Sequence, residues 1–200
     1  RKFLQTLVPT ELDSFFCHDA VTPERRAELW MAQADLGERL INEYSWATPD
    51  NRALRILKHF SPITEIGCGA NAYWCRQMQS VGIDVVGYDT SPQQGGMMDG
   101  NKKSQRSEFT VISGGPEVLA RQHSGRTLFL CYPDEAYHST EQSKDHRPIS
   151  MAASCLEHYK GDYVIHVGEL FLDPTLSIEQ APWGRSSSPE FQERLATEYH

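Results

Sequence analysis

The run EIGCGANAYW, residues 65–74, carries the clearest indication of fold in this chain. An apolar stretch leads straight into Gly67 and Gly69, and a helix-like segment follows them. A strand, a glycine turn and a helix in this order place backbone N–H groups and the positive end of the helix dipole at the carboxyl end of the strand. The arrangement favours a ligand site above the turn, although a tight turn without a ligand gives the same pattern.

Around this run, short apolar strands alternate with helix-like segments. The strand-like pieces are ITEIG, IDVVGYD, FTVIS, TLFLCY and DYVIHVGEL. Such alternation predicts an α/β fold with a doubly wound, mostly parallel sheet and helices on both faces, that is, a Rossmann-like domain. We expect this domain over residues 61–200 and an N-terminal helical extension over residues 1–60, where Thr22 caps a helix that begins at Pro23.

The end of the chain carries no clear strand pattern. After residue 172 the sequence shows no convincing pair of apolar strands, so either the sheet has no final hairpin in this chain or its edge is built differently. A missing hairpin leaves an open edge that a protein partner can cover.

Composition limits the function classes. The chain has 200 residues and a net charge of −8, so its average field repels polyanions; nucleic-acid binding is not supported, although a local basic patch stays possible. No run approaches the length of a membrane span. The five cysteines are scattered and never spaced as CxxC, so we expect neither a disulfide framework nor a metal site, and we expect an intracellular, reducing compartment.

The glycine turn also limits the ligand. A dinucleotide fingerprint requires a third glycine where Ala72 stands, and Asn71 is the nearest residue that tolerates a positive φ. The negative charge of Glu65 would repel a pyrophosphate and would attract a cationic ligand. Asp89, at the end of the second strand, can accept hydrogen bonds from both hydroxyls of a ribose. These features indicate a ligand with a ribose, a positive charge and no phosphate.

These motifs resemble those of a known enzyme superfamily. EIGCGANAYW resembles the first motif of the class I, Rossmann-like S-adenosylmethionine-dependent methyltransferases, and VVGYDTSP, residues 85–92, resembles the acidic motif that follows it. A closer resemblance, over about residues 44–170, is to an uncharacterised methyltransferase-like set that carries YSWA-x-P and CWPP-like motifs. The matching segments here are YSWATP, LFLCYPDE and MAASCLEHYKGDYVIHVGE.

The resemblance implies that S-adenosylmethionine is the cofactor. It implies that the methionine moiety lies by Glu65, Gly67, Gly69 and Asn71, the ribose by Asp89, and the adenine by Gly114 and Gly115. Two positions depart from the pattern: Asn71 replaces the third glycine, and Asp134 stands where the related proteins tend to have a second proline.

Candidate catalytic residues follow the fourth strand. Tyr132 could contact the sulfonium or a flat acceptor, and Glu135 or His138 could take a proton from the acceptor; alternatively, Tyr132 is wall packing and the other two lie on a solvated loop. His166 and Glu169 end the fifth strand, and Trp46 forms a pocket wall or docks into the core. We therefore expect an S-adenosylmethionine-dependent methyltransferase of unknown acceptor.

Two alternatives stay open. The first is a catalytically silent methyltransferase-like subunit that serves structure or interaction in a larger assembly. The second, a nicotinamide-dependent oxidoreductase, shares the fold but conflicts with Glu65 and with the absence of the third glycine.

Overall fold

The computed structural model describes residues 22–92, 109–122, 125–134, 150–169 and 186–199. The chain divides into two compact units, and the boundary lies between Ser45 and Trp46. The first unit contains helix α1, Pro23–Glu43, which begins as the sequence predicts: the Thr22 hydroxyl accepts a hydrogen bond from the N–H of Arg25, and Pro23 occupies the first turn.

The second unit is built on a five-stranded, all-parallel sheet. Its strands are β1 (Ile63–Ile66), β2 (Val85–Asp89), β3 (Ile112–Ser113), β4 (Thr127–Cys131) and β5 (Val164–Val167). They are arranged in the order β3-β2-β1-β4-β5. In register, Ile63 pairs with both Val85 and Thr127, and Leu128 pairs with Val164. This order is that of a doubly wound sheet, in which the crossover direction reverses between β1 and β4.

Helices cover both faces of the sheet. They are α2 (Asn51–His59), α3 (Tyr73–Ser80), α4 (Leu119–Gln122, preceded by the 3₁₀ turn Pro116–Val118), α5 (Met151–His158) and α6 (Pro189–Glu198). On β4, Leu128 and Leu130 pack with α4, α5 and α6, whereas Phe129 packs on the other face with α2 and α3. All three side chains are fully buried, because a central parallel strand has apolar layers on both sides.

The structure confirms the predicted fold class and the predicted strands. One strand is shorter than expected: only Ile112 and Ser113 of FTVIS pair with β2. Helix α2 belongs to the same compact unit as the sheet, and its Leu57 is buried in the core there; the predicted domain boundary after residue 60 stays a prediction. In the described part of the sheet, β3 and β5 form the edges, and a protein partner at either edge stays a prediction.

Candidate functional site

The residues that directly follow β1, β2 and β4 lie at one edge of the sheet. Parallel strands all present their carboxyl ends to the same side, and β1 lies between β2 and β4 in the strand order. Ligands of doubly wound folds bind at this edge, beside the position where the crossover direction reverses. The predicted cofactor residues and Tyr132 are therefore brought to one region by the topology.

The glycine turn after β1 is held by backbone hydrogen bonds to β2. The N–H groups of Gly67 and Cys68 both donate to the carbonyl of Tyr88, at 2.8 Å and 3.1 Å. Gly67 and Gly69 have φ values of +74° and +68°, which glycine adopts without the clash that a Cβ causes. Both glycines are thus required by the conformation of the turn itself.

The position of the absent third glycine is also left-handed. Ala72 has a φ of +44°, so the backbone there has the conformation that favours glycine. The side chain of Asn71, which the sequence marks as the residue most tolerant of positive φ, makes a local contact. Its oxygen accepts a hydrogen bond from the N–H of Tyr73, at 3.1 Å, at the start of α3. The part of Asn71 in cofactor binding stays a prediction.

Asp89 joins the end of β2 to the glycine turn. One carboxylate oxygen accepts a hydrogen bond from the N–H of Gly69 at 2.9 Å, and the other accepts one from the N–H of Ser91 at 2.8 Å. A carboxylate has about four acceptor sites, so each oxygen keeps capacity for a ligand hydroxyl. The carboxylate therefore sets the shape of the turn and remains at the position predicted for a ribose.

Glu65 does not present an open carboxylate at this edge. Its side chain is only 3% exposed, and it accepts a hydrogen bond from the thiol of Cys75 at 2.8 Å. Burial raises the pKa of Glu65 to about 7, and the nearby charge of Asp89 raises it further, so the carboxyl is protonated in a large part of the molecules at neutral pH. Burial also raises the pKa of Cys75, which stays a thiol and a donor.

A space beside β2 accommodates this thiol. A Cβ on Gly87 would lie only 2.6 Å from the sulfur of Cys75 and 3.1 Å from that of Cys68. The absence of a side chain at residue 87 therefore lets both sulfurs pack beneath the glycine turn, where they form a small cluster with Ala72.

The glycines predicted to meet the adenine lie after β3. The N–H of Gly114 donates to the carbonyl of Asp89 at 3.1 Å, and the N–H of Gly115 donates to the carboxylate of Glu117 at 2.9 Å. This N–H also lowers the pKa of the Glu117 carboxyl. A short turn thus connects β3 to Pro116 and lies beside β2; contact with an adenine stays a prediction.

Tyr132 follows β4 and has a strained backbone. Its φ is +48°, which is rare for a bulky residue, and its N–H donates to the carbonyl of Val167 at 2.9 Å. Its ring lies nearly parallel to that of Trp46, at 12°, with 6.1 Å between centroids. Burial raises the pKa of Tyr132, and the charge of Glu169 adds to this. Trp46 is 50% exposed, so it forms part of the surface at this edge.

The other candidates near the acceptor are distributed differently. Glu135 and His138 lie outside the described residues, and their catalytic roles stay predictions. Among the described residues, neither ring nitrogen of His166 has a hydrogen-bond partner. Burial lowers the pKa of His166 to about 4, and the ring meets that of Phe191 at 5.2 Å, edge to face. His166 is therefore a neutral, packed side chain at physiological pH.

Asp134, one of the two motif departures, is a buried structural anchor. Its carboxylate accepts hydrogen bonds from the Ser150 hydroxyl at 2.7 Å, the N–H of Ser188 at 2.8 Å and the N–H of Ala152 at 3.1 Å. Ser150 and Ser188 are the N-caps of α5 and α6. One carboxylate thus joins the loop after β4 to the starts of two helices, where a negative charge is favoured.

Met151 lies at the candidate site although nothing in the sequence singles it out. A Cβ on Gly67 would lie 2.7 Å from the terminal methyl group of Met151 and 3.1 Å from its sulfur. The methionine side chain therefore lies against the glycine turn, beside the predicted site of the methionine moiety. No local motif marks this residue, because its contact depends on how α5 packs over β1.

Comparisons with known proteins give no identification. No protein-family model, curated protein or solved structure matches the chain. Of the helices that the structure describes, none has the length and apolar character needed to span a membrane. Across the described ranges, no group of three or more His, Cys, Asp or Glu side chains is arranged to hold a metal ion. The four cysteines in these ranges are free.

Proposed function

We propose that this chain binds S-adenosylmethionine at the carboxyl ends of β1 and β2 and transfers its methyl group to an acceptor. The observation that carries the proposal is the hydrogen bond between Asp89 and the N–H of Gly69, at the reversal point of a sheet with the order 3-2-1-4-5. It places an acid and a glycine turn on neighbouring strands, where doubly wound folds bind nucleosides.

The chemistry of the turn supports a nucleoside without phosphates. The donors of Gly67, Cys68 and Gly69 are directed to β2, so the turn does not offer them to a pyrophosphate. Asp89 keeps acceptor capacity for a ribose, and its negative charge favours a cationic ligand. Because Glu65 is buried beside Cys75, its contribution to this site is to support the turn from below.

Tyr132 and Trp46 support a position for the acceptor. Methyl transfer is an in-line displacement, so the protein must hold a nucleophile about 3–3.5 Å from the methyl group and in line with the breaking C–S bond. Tyr132 lies at the end of β4, next to β1, and backbone strain of this kind collects at functional sites. An aromatic wall at this position would orient the acceptor without taking part in proton transfer.

Calorimetric titration with S-adenosylmethionine and S-adenosylhomocysteine tests the cofactor. We expect both to bind, and we expect Asp89→Ala to weaken binding by about 1–3 kcal/mol, or about 5- to 150-fold, because it removes bonds to a charged acceptor. Asp84→Ala is the matched control: it removes an aspartate just before β2, at the opposite edge of the sheet. Equal affinities in the two variants, with the fold intact, would exclude this site.

A specific observation favours the second candidate, a silent methyltransferase-like subunit. Met151 already lies against Gly67, so a side chain of the protein occupies space beside the predicted methionine moiety. In a silent subunit this residue would keep the pocket closed, and Met151→Ala would raise cofactor affinity. In an enzyme the flexible methionine would move aside on binding, and Met151→Ala would leave affinity unchanged or weaken it by lost packing.

A further inference from the structure

A cavity of about 210 Å³ opens at the other edge of the sheet, away from the glycine turn. It is formed where α2 ends and where β4 and β5 begin, so it lies at the amino ends of the strands. The residues that give it chemical character are aromatic and charged: His59, Phe60, Arg126, Tyr159, Asp162 and Tyr163. The methyl-transfer proposal uses none of them.

The aromatic rings of the cavity are inclined to one another. The rings of Phe60 and Tyr163 have centroids 5.2 Å apart and meet at 58°, and the ring of His59 stands at 89° to Phe60, at 5.0 Å. A flat ligand needs parallel walls, whereas inclined rings form a corner that touches a rounded group on several sides. Tyr163 is 56% exposed, so much of its surface is open to a ligand.

The corner is held in place from below. The Tyr159 hydroxyl shares its proton between the carbonyl oxygens of Arg126 and Tyr163, at 2.7 Å and 2.9 Å. The Thr127 hydroxyl donates to the carbonyl of Phe60 at 2.6 Å. The backbone that carries both inclined rings is therefore fixed before any ligand arrives, which lowers the entropy cost of binding.

The charges of the cavity favour a cation. Arg126 is neutralised by Asp84, at 2.6 Å and 3.1 Å, and it also donates to the carbonyl of Ile63. Asp162 also lines the cavity, and its carboxylate makes no hydrogen bond or ion pair with any residue that the structure describes. An anion would meet the negative charge of Asp162, and four of the five N–H donors of Arg126 are already engaged with Asp84 and Ile63.

We propose that this cavity binds a quaternary or methylated ammonium group. The faces of Phe60 and Tyr163 attract the cation through their negative π-faces, and Asp162 supplies the opposite charge, as in aromatic cages that recognise choline and methyl-lysine. The same headgroup chemistry occurs in free choline and in a trimethyl-lysine side chain of a partner protein. The site is independent of the proposed cofactor site, which lies at the opposite edge of the sheet.

The test uses choline and its neutral isostere 3,3-dimethyl-1-butanol, in which carbon replaces the charged nitrogen. Titrations are followed by NMR through the backbone amide signals of residues 59–61, 63 and 159–163. We expect choline to shift these signals in a saturable way and the isostere to bind at least several-fold more weakly. Equal binding of the two compounds would show a merely apolar crevice and would overturn the proposal, as would the absence of saturable shifts with choline at tens of millimolar.

Variants locate the site. Tyr163→Ala and Asp162→Asn should each weaken choline binding about two- to fivefold, the effect of one exposed ring or one exposed charge. Trp46→Ala is the control, because it removes a similarly exposed aromatic residue from the carboxyl edge and should leave choline affinity unchanged. Unchanged affinity in both test variants would contradict the proposal. A trimethyl-lysine peptide forms the second arm, and the tighter of the two ligands identifies the source.

Discussion

Removing the carboxylate of Asp134 should destabilise the sheet domain more than any surface substitution. The side chain is 2% exposed and accepts three hydrogen bonds, two of them from the caps of α5 and α6. Asp134→Ala leaves three buried donors without an acceptor, at about 1–3 kcal/mol each. Because the pocket can relax and admit water, we expect a total loss of about 3–5 kcal/mol in the free energy of unfolding.

Asp134→Asn keeps the size of the side chain and separates charge from shape. An amide offers one acceptor oxygen, while its NH₂ group opposes donors that pointed at the carboxylate. We expect a loss of about 2–3 kcal/mol, which is a large share of a typical domain stability of about 5–15 kcal/mol. The measurement is urea unfolding, followed by circular dichroism in the near and far ultraviolet.

The control is Asp162→Asn, which makes the same chemical change at an exposed position and should stay within about 0.5 kcal/mol of the parent. A double-mutant cycle of Asp134→Asn with Ser150→Ala should show coupling, because the two side chains are 2.7 Å apart. If the free energy of unfolding of Asp134→Ala lies within about 1 kcal/mol of that of the control, the carboxylate does not anchor the two helices and the reasoning is refuted.

Two further predictions concern the candidate site. The pKa of Glu65 is raised from 4.5 to about 7, so between these pH values the folded chain holds a proton that the unfolded chain has released, and this residue's contribution to stability falls by about 3 kcal/mol as pH rises. In urea titrations at several pH values, the free energy of unfolding of Glu65→Gln should therefore rise relative to that of the parent as pH increases across this window. If the difference between the two proteins does not change with pH, the pKa of Glu65 is not shifted. At Tyr132, where φ is +48°, Tyr132→Gly should be about 0.5–1 kcal/mol more stable than Tyr132→Ala in thermal unfolding. The control Ala196→Gly, at an exposed position in the last turn of α6, should lose stability instead. If glycine is no better than alanine at residue 132, the backbone there is not left-handed.

The regular elements could be predicted because their signals are local. Thr22 and Pro23 mark the start of α1 within one turn, and the apolar runs around Ile63 and Leu128 indicate buried strands from neighbouring residues alone. The strand and helix alternation then leaves few topologies for a parallel sheet. The glycine turn and Asp89 could be placed at one edge for the same reason, since parallel strands end on one side.

What the sequence could not determine is where each polar side chain finds its partner. Glu65 is a candidate ligand contact by its position in the sequence. In the structure it is buried in the core and accepts a hydrogen bond from Cys75, ten residues along the chain. In the sequence, Asp134 is only a departure from the motif. In the structure, it accepts a hydrogen bond from the N–H of Ser188, fifty-four residues away. Caps, turns and strand alternation depend on neighbours within a few positions, so composition and spacing reveal them. Burial and hydrogen-bond partners across the fold depend on how helices pack over the sheet, and only the tertiary structure decides that.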